Sequence, residues 1–295
     1  MQLTTLKDFL QWASNSFKKA QLYYGHGTDN AWDEAVALAL FVLQTSTELK
    51  AKDMKRVLST KEKEALVKLV NYRISTRIPV PYLTQEAWFA HRKFYIDERA
   101  LIPRSPFGEL ILKGFQPWLG KGRVHNILDL CTGSGCLAIT CAHVFKQAQV
   151  DAVDISEGAL AVAKKNVDLH KCEDRVHLYH SDLYNACSNK QYDIIISNPP
   201  YVNAKEMLSL PAEHRWEPQI AFAAGKDGLQ IVKSILKEAP KYLTEKGLLF
   251  IEVGDAAEEL QQQYPQVPFT WLEFERGGEG VLFLSAEDKA QWAVF

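Results

Sequence analysis

Asn198-Pro199-Pro200-Tyr201 follows Tyr192-Asp193-Ile194-Ile195-Ile196-Ser197, an apolar, β-branched run that reads as a buried strand. Two consecutive prolines end the ladder, because proline has no N–H to donate. They also stiffen the loop, so the Asn198 amide and the nearby backbone carbonyls stay fixed at the C-terminal edge of the strand. In open α/β sheets that edge is where ligands bind. A fixed cluster of acceptors suits the gripping of an NH2 group whose nitrogen is to attack an electrophile. A rigid strand-ending turn without chemistry would use the same residues, so the choice rests on what precedes them.

Asp129-Leu130-Cys131-Thr132-Gly133-Ser134-Gly135-Cys136 follows an earlier strand and opens a helix. Glycines there let a ligand approach the backbone, and the N–H groups of a helix start bind a carboxylate or phosphate. The run is ambiguous by itself, since Gly133-x-Gly135-x-x-Ala138 also fits a relaxed dinucleotide fingerprint. Asp154 ends the next strand, where a carboxylate takes both hydroxyls of a ribose in a dinucleotide or a nucleoside. Asp182, in Ser181-Asp182-Leu183 after a third strand, is placed to accept from an adenine amino group. One such acid is commonly a turn or cap residue. Three at successive strand ends are hard to read as incidental.

These positions require strands that alternate with helices, and from about Val124 the chain has that rhythm. Asn126–Leu130, Gln149–Asp154, Val176–His180, the run ending at Ser197 and Gly247–Val253 read as strands. Helices are expected from Gly135 into Val144, over Glu157–Leu169 and around Leu229–Leu243. Phe269–Phe274 and Gly280–Leu284 follow as two strands with no helix between them, so the sheet is expected to be mostly parallel with an antiparallel edge. Val202 to Gly228 is long for a structureless loop and is expected to lie over the site. Within it Trp216-Glu217-Pro218 either shapes a channel or simply packs, and Glu252 at a strand end has a structural reading. The segment before about residue 87 reads as helical. Leu6, Phe9, Leu10, Ala13 and Phe17 share a face, Asp29 and Asn30 offer caps for a helix through Val42, and Ser59-x-x-Glu62 is a capping box. His26, between two glycines, reads as a loop histidine near a cap, and the Lys61–Lys68 charges as a solvated face. Arg77-Ile78-Pro79-Val80-Pro81-Tyr82 is expected to be extended. Trp88-Phe89 and Phe94-Tyr95-Ile96 suggest a hairpin, with a hinge at Pro103 and Pro106. The expected divisions are a helical domain at 1–86, a hairpin and hinge at 87–122 and an α/β domain at 123–295.

The bulk numbers exclude some classes. The chain has 295 residues, 47% of them hydrophobic and 24% charged, as in an ordinary globular protein. A net charge of −2 gives no sign of the basic excess that nucleic-acid binding usually requires. Five cysteines, without a C-x-x-C pair or zinc-ligand spacing to histidine, imply reduced thiols, a cytoplasmic setting and no metal. The start Met1-Gln2-Leu3-Thr4-Thr5-Leu6-Lys7-Asp8 lacks the pattern of a secretory leader, and no run approaches the about 18 apolar residues of a membrane span.

The set Asp129…Gly133-x-Gly135, Asp154, Ser181-Asp182 and Asn198-Pro199-Pro200-Tyr201 resembles the S-adenosylmethionine-dependent methyltransferases of the seven-stranded Rossmann-like class I. Within that class the chain is similar to the N5-glutamine methyltransferases over nearly its whole length. The similarity includes Arg77–Leu83 and Ile102-Pro103-Arg104 in the N-terminal domain and hinge. The resemblance implies S-adenosyl-L-methionine as cofactor and S-adenosyl-L-homocysteine as product. It implies Asp129, Cys131, Thr132, Gly133, Ser134, Gly135, Asp154, Asp182, Leu183 and Asn198 as cofactor contacts, and Asn198, Pro199, Pro200 and Tyr201 as the catalytic motif. Cys131 stands where many relatives have glycine, so its backbone contact is the departure from the pattern.

Three features resemble the branch that acts on the third protein of the large ribosomal subunit: Arg104-Ser105-Pro106-Phe107-Gly108-Glu109, Tyr24–Glu34 and Cys131. The helical domain is then a substrate-recognition unit, with no stable nucleic-acid binding and no membrane contact. The sister branch methylates the Gly-Gly-Gln motif of release factors and typically has proline then an acid after the hinge arginine. Adenine-N6 methylation of nucleic acid is a further alternative, since an exocyclic NH2 presents similar geometry. For a glutamine amide, whose lone pair is delocalised, the implied catalysis is positional. The Asn198 oxygen and the Pro199 carbonyl hold both N–H bonds, Tyr201 flanks the plane or simply packs, and no covalent intermediate forms.

Overall fold

The computed structural model describes residues 3–45, 49–120, 122, 124–187, 190–275, 277–292 and 294–295. Met1 and Gln2 of the leader reading, and Arg123 at the expected start of the third division, lie outside them. Three helices open the chain, α1 (Leu6–Lys19), α2 (Ala31–Leu43) and α3 (Thr60–Thr76). Capping boxes at Thr5/Asp8 and Ser59/Glu62 start α1 and α3, and the Asn30 side chain accepts from the N–H groups of Trp32 and Asp33 at the start of α2. Their apolar faces meet in one core, with Leu6, Phe9, Leu10, Ala13 and Phe17 against Leu38, Leu66 and Val70. On α3 the inward stripe Leu66, Val70, Arg73 ends in a guanidinium with no exposed surface.

The stretch 77–82 corrects the expectation of extended chain. Arg77 takes a left-handed conformation that closes α3, and Val80–Thr84 forms a short helix, α4, with Pro79 as N-cap. Proline is tolerated there because first-turn N–H groups have no acceptor within the helix. The expected hairpin is present as β1 (Glu86–Phe89) and β2 (Arg92–Tyr95), with Ala90 and His91 both at positive φ in the turn. Phe89 and Phe94 join Phe107, Leu110 and Ile111 of α5 (Phe107–Leu112) in the core beneath the main sheet. Hairpin and hinge therefore share apolar burial with the α/β body.

That body is a seven-stranded sheet of β3 (Asn126–Leu130), β4 (Gln149–Asp154), β5 (Val176–His180), β6 (Tyr192–Ser197), β7 (Leu243–Glu252), β8 (Thr270–Leu272) and β9 (Val281–Ser285). Its order is β5-β4-β3-β6-β7-β9-β8, and β9 runs antiparallel to both its neighbours. Helices α6 (Cys136–Val144), α7 (Glu157–His170) and α8 (Gln230–Tyr242) lie where the sequence rhythm puts them. Helix α9 (Ala257–Gln263) was not foreseen, because Leu260 is its one buried residue and a single apolar position carries no periodicity. Separate cores cover the two sheet faces. The chain order reverses between β3 and β6, which sets a crevice at their C-terminal ends. Among the described residues no helix is long and apolar enough to cross a membrane.

Arg73 ties this helical unit together and reaches beyond it. Its Nε and Nη2 donate to Glu34 at 3.2 Å, Nη2 also donates to the Tyr23 carbonyl at 3.0 Å, and Nη1 reaches Glu213 at 3.5 Å. Removing one partner of a buried ion pair strands the others in low dielectric. Arg73→Leu is expected to lower unfolding free energy by about 3–5 kcal/mol in chemical denaturation. An Arg73→Leu/Glu34→Leu double variant should recover part of that loss.

Candidate active site

The turn after β3 is built by Asp129, which is fully buried. Its Oδ2 accepts the Thr132 hydroxyl at 2.5 Å and the Ala138 N–H at 3.1 Å, bracing the loop against the first turn of α6. Cys131, Gly133 and Gly135 all adopt positive φ, which the two glycines adopt freely. At Gly135 a Cβ would meet Ala163 of α7 at 3.3 Å, whereas at Gly133 it would project into open space. One glycine thus permits helix packing and the other leaves room for a ligand. Burial pushes the Asp129 carboxyl up to about 7, against the pull of Thr132 and Ala138, and its Oδ1 has no partner.

A cleft of about 200 Å³ lies over this turn, at the C-terminal ends of β3, β4 and β6. Of the residues expected to hold cofactor, Cys131, Gly133, Asp154, Asp182, Leu183 and Asn198 line it. Asp129, Thr132, Ser134 and Gly135 are not in the wall and support the turn from behind. Asp154 takes the Gly133 N–H at 2.8 Å on Oδ2 and the Ser156 N–H at 2.9 Å on Oδ1, so the carboxylate is oriented before any ligand arrives. Burial raises its pKa while those N–H groups pull it back. Ile155, Ala159 and Ile231 give the cleft an apolar lining. A nucleoside with a ribose diol, an amino-bearing base and a charged amino-acid tail fits these groups: Asp154 for the diol, Asp182 for the base amine and the open Gly133 turn for the tail.

Asn198 and Pro200 face the same cleft, and Pro199 is buried behind them. Among the described residues none hydrogen-bonds the Asn198 side chain, so its carboxamide oxygen is available as an acceptor. Tyr201 points elsewhere. Its hydroxyl donates to Glu252 Oε1 at 3.1 Å, and its ring lies against Gly254, where a Cβ would come within 2.5 Å of it. All five cysteines are free thiols, and burial pushes Cys131 far up, Cys136 to about 12 and Cys172 to about 11. Cys131, which lines the cleft, is thereby favoured as the thiol.

The segment after Tyr201 is a strap. The Val202 N–H donates to the Phe222 carbonyl at 2.9 Å and the Ala224 N–H to the Val202 carbonyl at 3.1 Å, closing its neck. Pro218, Ile220, Ala221 and Ala223 roof the cleft. Three anchors fix the strap to the N-terminal half. Glu213 Oε1 accepts from Arg77 at 3.1 Å and from the Tyr23 N–H at 3.0 Å, and the Trp216 indole donates to the Thr76 carbonyl at 3.0 Å. Glu217 takes both arms of Arg104, at 2.7 and 2.9 Å, with the Ile102 N–H at 3.2 Å and His26 Nε2 at 3.1 Å. Burial would push Glu217 up, but His26 and Arg104 hold it at about 2. Since Arg104 occupies both its oxygens, the nearby His26–His214–Glu217 cluster is an ion-pair site and not a cation cage. Sequence reading singled out Glu217 within Trp216-Glu217-Pro218 without its ion pair, and missed Glu213 and the Arg99–Leu101 wall of the cleft. The readable signal was Arg73, an arginine on an apolar stripe that needed buried acids.

The reversed β9, the glycine turn and the acidic strand ends together define a Rossmann-like, S-adenosylmethionine-dependent methyltransferase. A family model described as the methyltransferase small domain matches residues 109–213. The chain is 42% identical over 291 residues to the ribosomal protein uL3 glutamine methyltransferase of Francisella tularensis, covering 98% of this chain and 93% of that protein. It is 44% identical over 289 residues to the protein of the same name from Neisseria gonorrhoeae, covering 98% and 96%. The chain belongs to the ribosomal protein uL3 glutamine methyltransferase family.

Because both hydrogen bonds fall on one oxygen of Asp129, asparagine can reproduce them and alanine cannot. Asp129→Ala is expected to weaken S-adenosylmethionine binding at least about tenfold by calorimetry, the loss of one or two buried hydrogen bonds. Asp129→Asn should bind near the wild-type level. A carboxyl whose pKa is raised on folding holds more protons folded than unfolded, so its contribution to stability is lost as pH rises towards about 7. The stability of Asp129→Asn relative to wild type should therefore rise between about pH 4 and about pH 7.

Proposed function

We propose that this chain transfers a methyl group to the N5 side-chain amide nitrogen of a glutamine in ribosomal protein uL3. The observation that carries the reading is Asn198, an unpartnered carboxamide acceptor held by two prolines at the edge of the cofactor cleft. S-adenosylmethionine, when bound, supplies an electrophilic sulfonium methyl. The protein's part is to bind and orient. Asn198 Oδ1 and the Pro199 carbonyl accept the two amide N–H bonds and favour the positive charge that develops on nitrogen. The strap roof limits water, which would compete for those N–H groups. The methylated amide sheds its extra proton to solvent readily, so no strong base is needed beforehand. The full-length likeness to proteins named for uL3 supports the substrate, and the negative net charge suits a basic ribosomal protein. Free, unreactive thiols are compatible with the reducing cytoplasm we propose as the compartment.

Recognition is assigned to the helical unit and hairpin. Between them runs a groove of about 1160 Å³ lined by Phe41 of α2 and Trp88 of β1, both exposed. Ile102 and Pro103 line this groove while the adjoining Ala100 and Leu101 line the cofactor cleft, so one short segment separates substrate surface from chemistry.

Purified protein with S-adenosylmethionine and unmethylated uL3 is expected to add one methyl to one glutamine, read by peptide mass spectrometry. Asn198→Ala should abolish transfer and leave cofactor binding largely intact. Faster methylation of a release factor's Gly-Gly-Gln loop, or transfer to adenine in nucleic acid, would overturn the substrate assignment. Trp88→Ala is expected to raise the KM for uL3 about tenfold, the usual cost of losing a large aromatic contact, with cofactor affinity unchanged.

A further inference from the structure

We infer that Glu252 is a positioning residue for methyl transfer, joining Tyr201 of the Asn-Pro-Pro-Tyr motif to Ser105 of the hinge and thereby setting the orientation of Asn198. The inference rests on the methyl-transfer reading of Asn198. Strands β6 and β7 are parallel, with Ser197 opposite Ile251, so Glu252 lies one step beyond the last strand pair, beside Asn198. Its side chain is buried, with 5% of the residue exposed. Oε1 accepts the Tyr201 hydroxyl at 3.1 Å, and Oε2 accepts the Ser105 hydroxyl. The Ser105 oxygen in turn accepts the Phe107 N–H at 3.2 Å, at the start of α5.

Tyr201 is closely packed at two further points. A Cβ at Gly254 would lie 2.5 Å from its ring, and one at Gly228 would lie 2.5 Å from its carbonyl oxygen. Only two prolines, each with φ fixed by its ring, separate Tyr201 from Asn198. A short segment with stiff links transmits the anchorage of one end to the other. Glu252 therefore acts on the amide acceptor without touching substrate.

The anchor depends on charge state. An ionised carboxylate accepts from both hydroxyls, whereas a protonated one presents an O–H to one of them and breaks the arrangement. The charged or titratable groups around it are Arg104 on the hinge and Tyr201 after β6, with Asp255 facing Tyr201 from the turn after β7. Strand β9 offers the uncharged Val281 opposite. Burial pushes Glu252 up to about 7, while Ser105, Tyr201 and Arg104 pull it down. The ionised, ordered form thus gains population as pH rises through neutrality.

The test measures kcat, the KM for uL3 and S-adenosylmethionine affinity for Glu252→Gln, Tyr201→Phe and their double variant across about pH 6 to about pH 8. Each single variant is expected to lose about tenfold or more in kcat with cofactor affinity unchanged, as a misaligned nucleophile would. The double variant should be no worse than the worse single one, because both remove the same link. Wild-type kcat should rise through about pH 7 and that of Glu252→Gln should be flat there. Tyr201→Phe reads the link from its other partner should Glu252→Gln fold poorly. A wild-type pH profile and kcat in Glu252→Gln, or single-variant losses that multiply in the double variant, would overturn the proposal. Full activity of Asn198→Ala would instead overturn the underlying reading of the motif.

Discussion

The structure turns on the buried carboxylate of Glu217. It receives four N–H donors from two other parts of the chain: two from Arg104 and one from Ile102 on the hinge, and one from His26 in the helical unit. Glu217 itself belongs to the strap. No part can leave without stranding a charge or a polar group in low dielectric, and the cost of an uncompensated buried charge exceeds what most surface contacts return. Losing any one of the three parts therefore weakens the hold on the other two. The next residue, Pro218, is already in the wall of the cofactor cleft. An interaction at the junction of domains thus decides whether the cleft has a roof.

A roof matters because nothing in the site is reactive by itself. The cysteine thiols are held protonated by burial, and Asp154 is bound to the backbone of the turn it orients. What the site provides is acceptors and a carboxylate, Asp154, fixed at one edge of a sheet. Fixed dipoles are effective where reorganisation is costly and water is excluded. The sheet supplies the fixity, since Asn198, Asp154 and the glycine turn all follow directly from hydrogen-bonded strands. The strap, pinned at its neck by Val202 and at its tip by Glu213 and Glu217, supplies the exclusion.

Much of this was legible in the sequence wherever the cause was local. The caps at Asn30 and Ser59, the apolar periods of α1 and α3, the strand ends at Asp129 and Asp154 and the proline stop at Pro199 each act over a few residues. Helix α4 was misread because the rule against proline in helices does not hold for the first turn. The wall of the cleft at Arg99–Leu101, the acid at Glu213 and the partners of Glu217 were not visible. Glu217 lies more than a hundred residues from each of its partners, and no spacing rule spans that distance. Arg73 carried a signal that the sequence reading did not use. Its place on the inward stripe of α3 demanded buried acids, although nothing in the sequence said which of them would answer.

The stretches that resemble this branch more than its sister are partly interior. His26 and Glu34, within the stretch Tyr24–Glu34, are buried on Glu217 and Arg73, and Ser105 is bound to Glu252. The exposed Trp32 and the groove-lining Gly27, Thr28 and Asp33 of the same stretch can touch a substrate, whereas the buried His26 and Glu34 cannot. Their leverage is on how the helical unit docks against the hinge and strap, which fixes the groove between α2 and the hairpin relative to Asn198. The strand-end motif presents an acceptor suited to a planar NH2 group, and the buried junction holds the groove that we propose for the substrate in place relative to it.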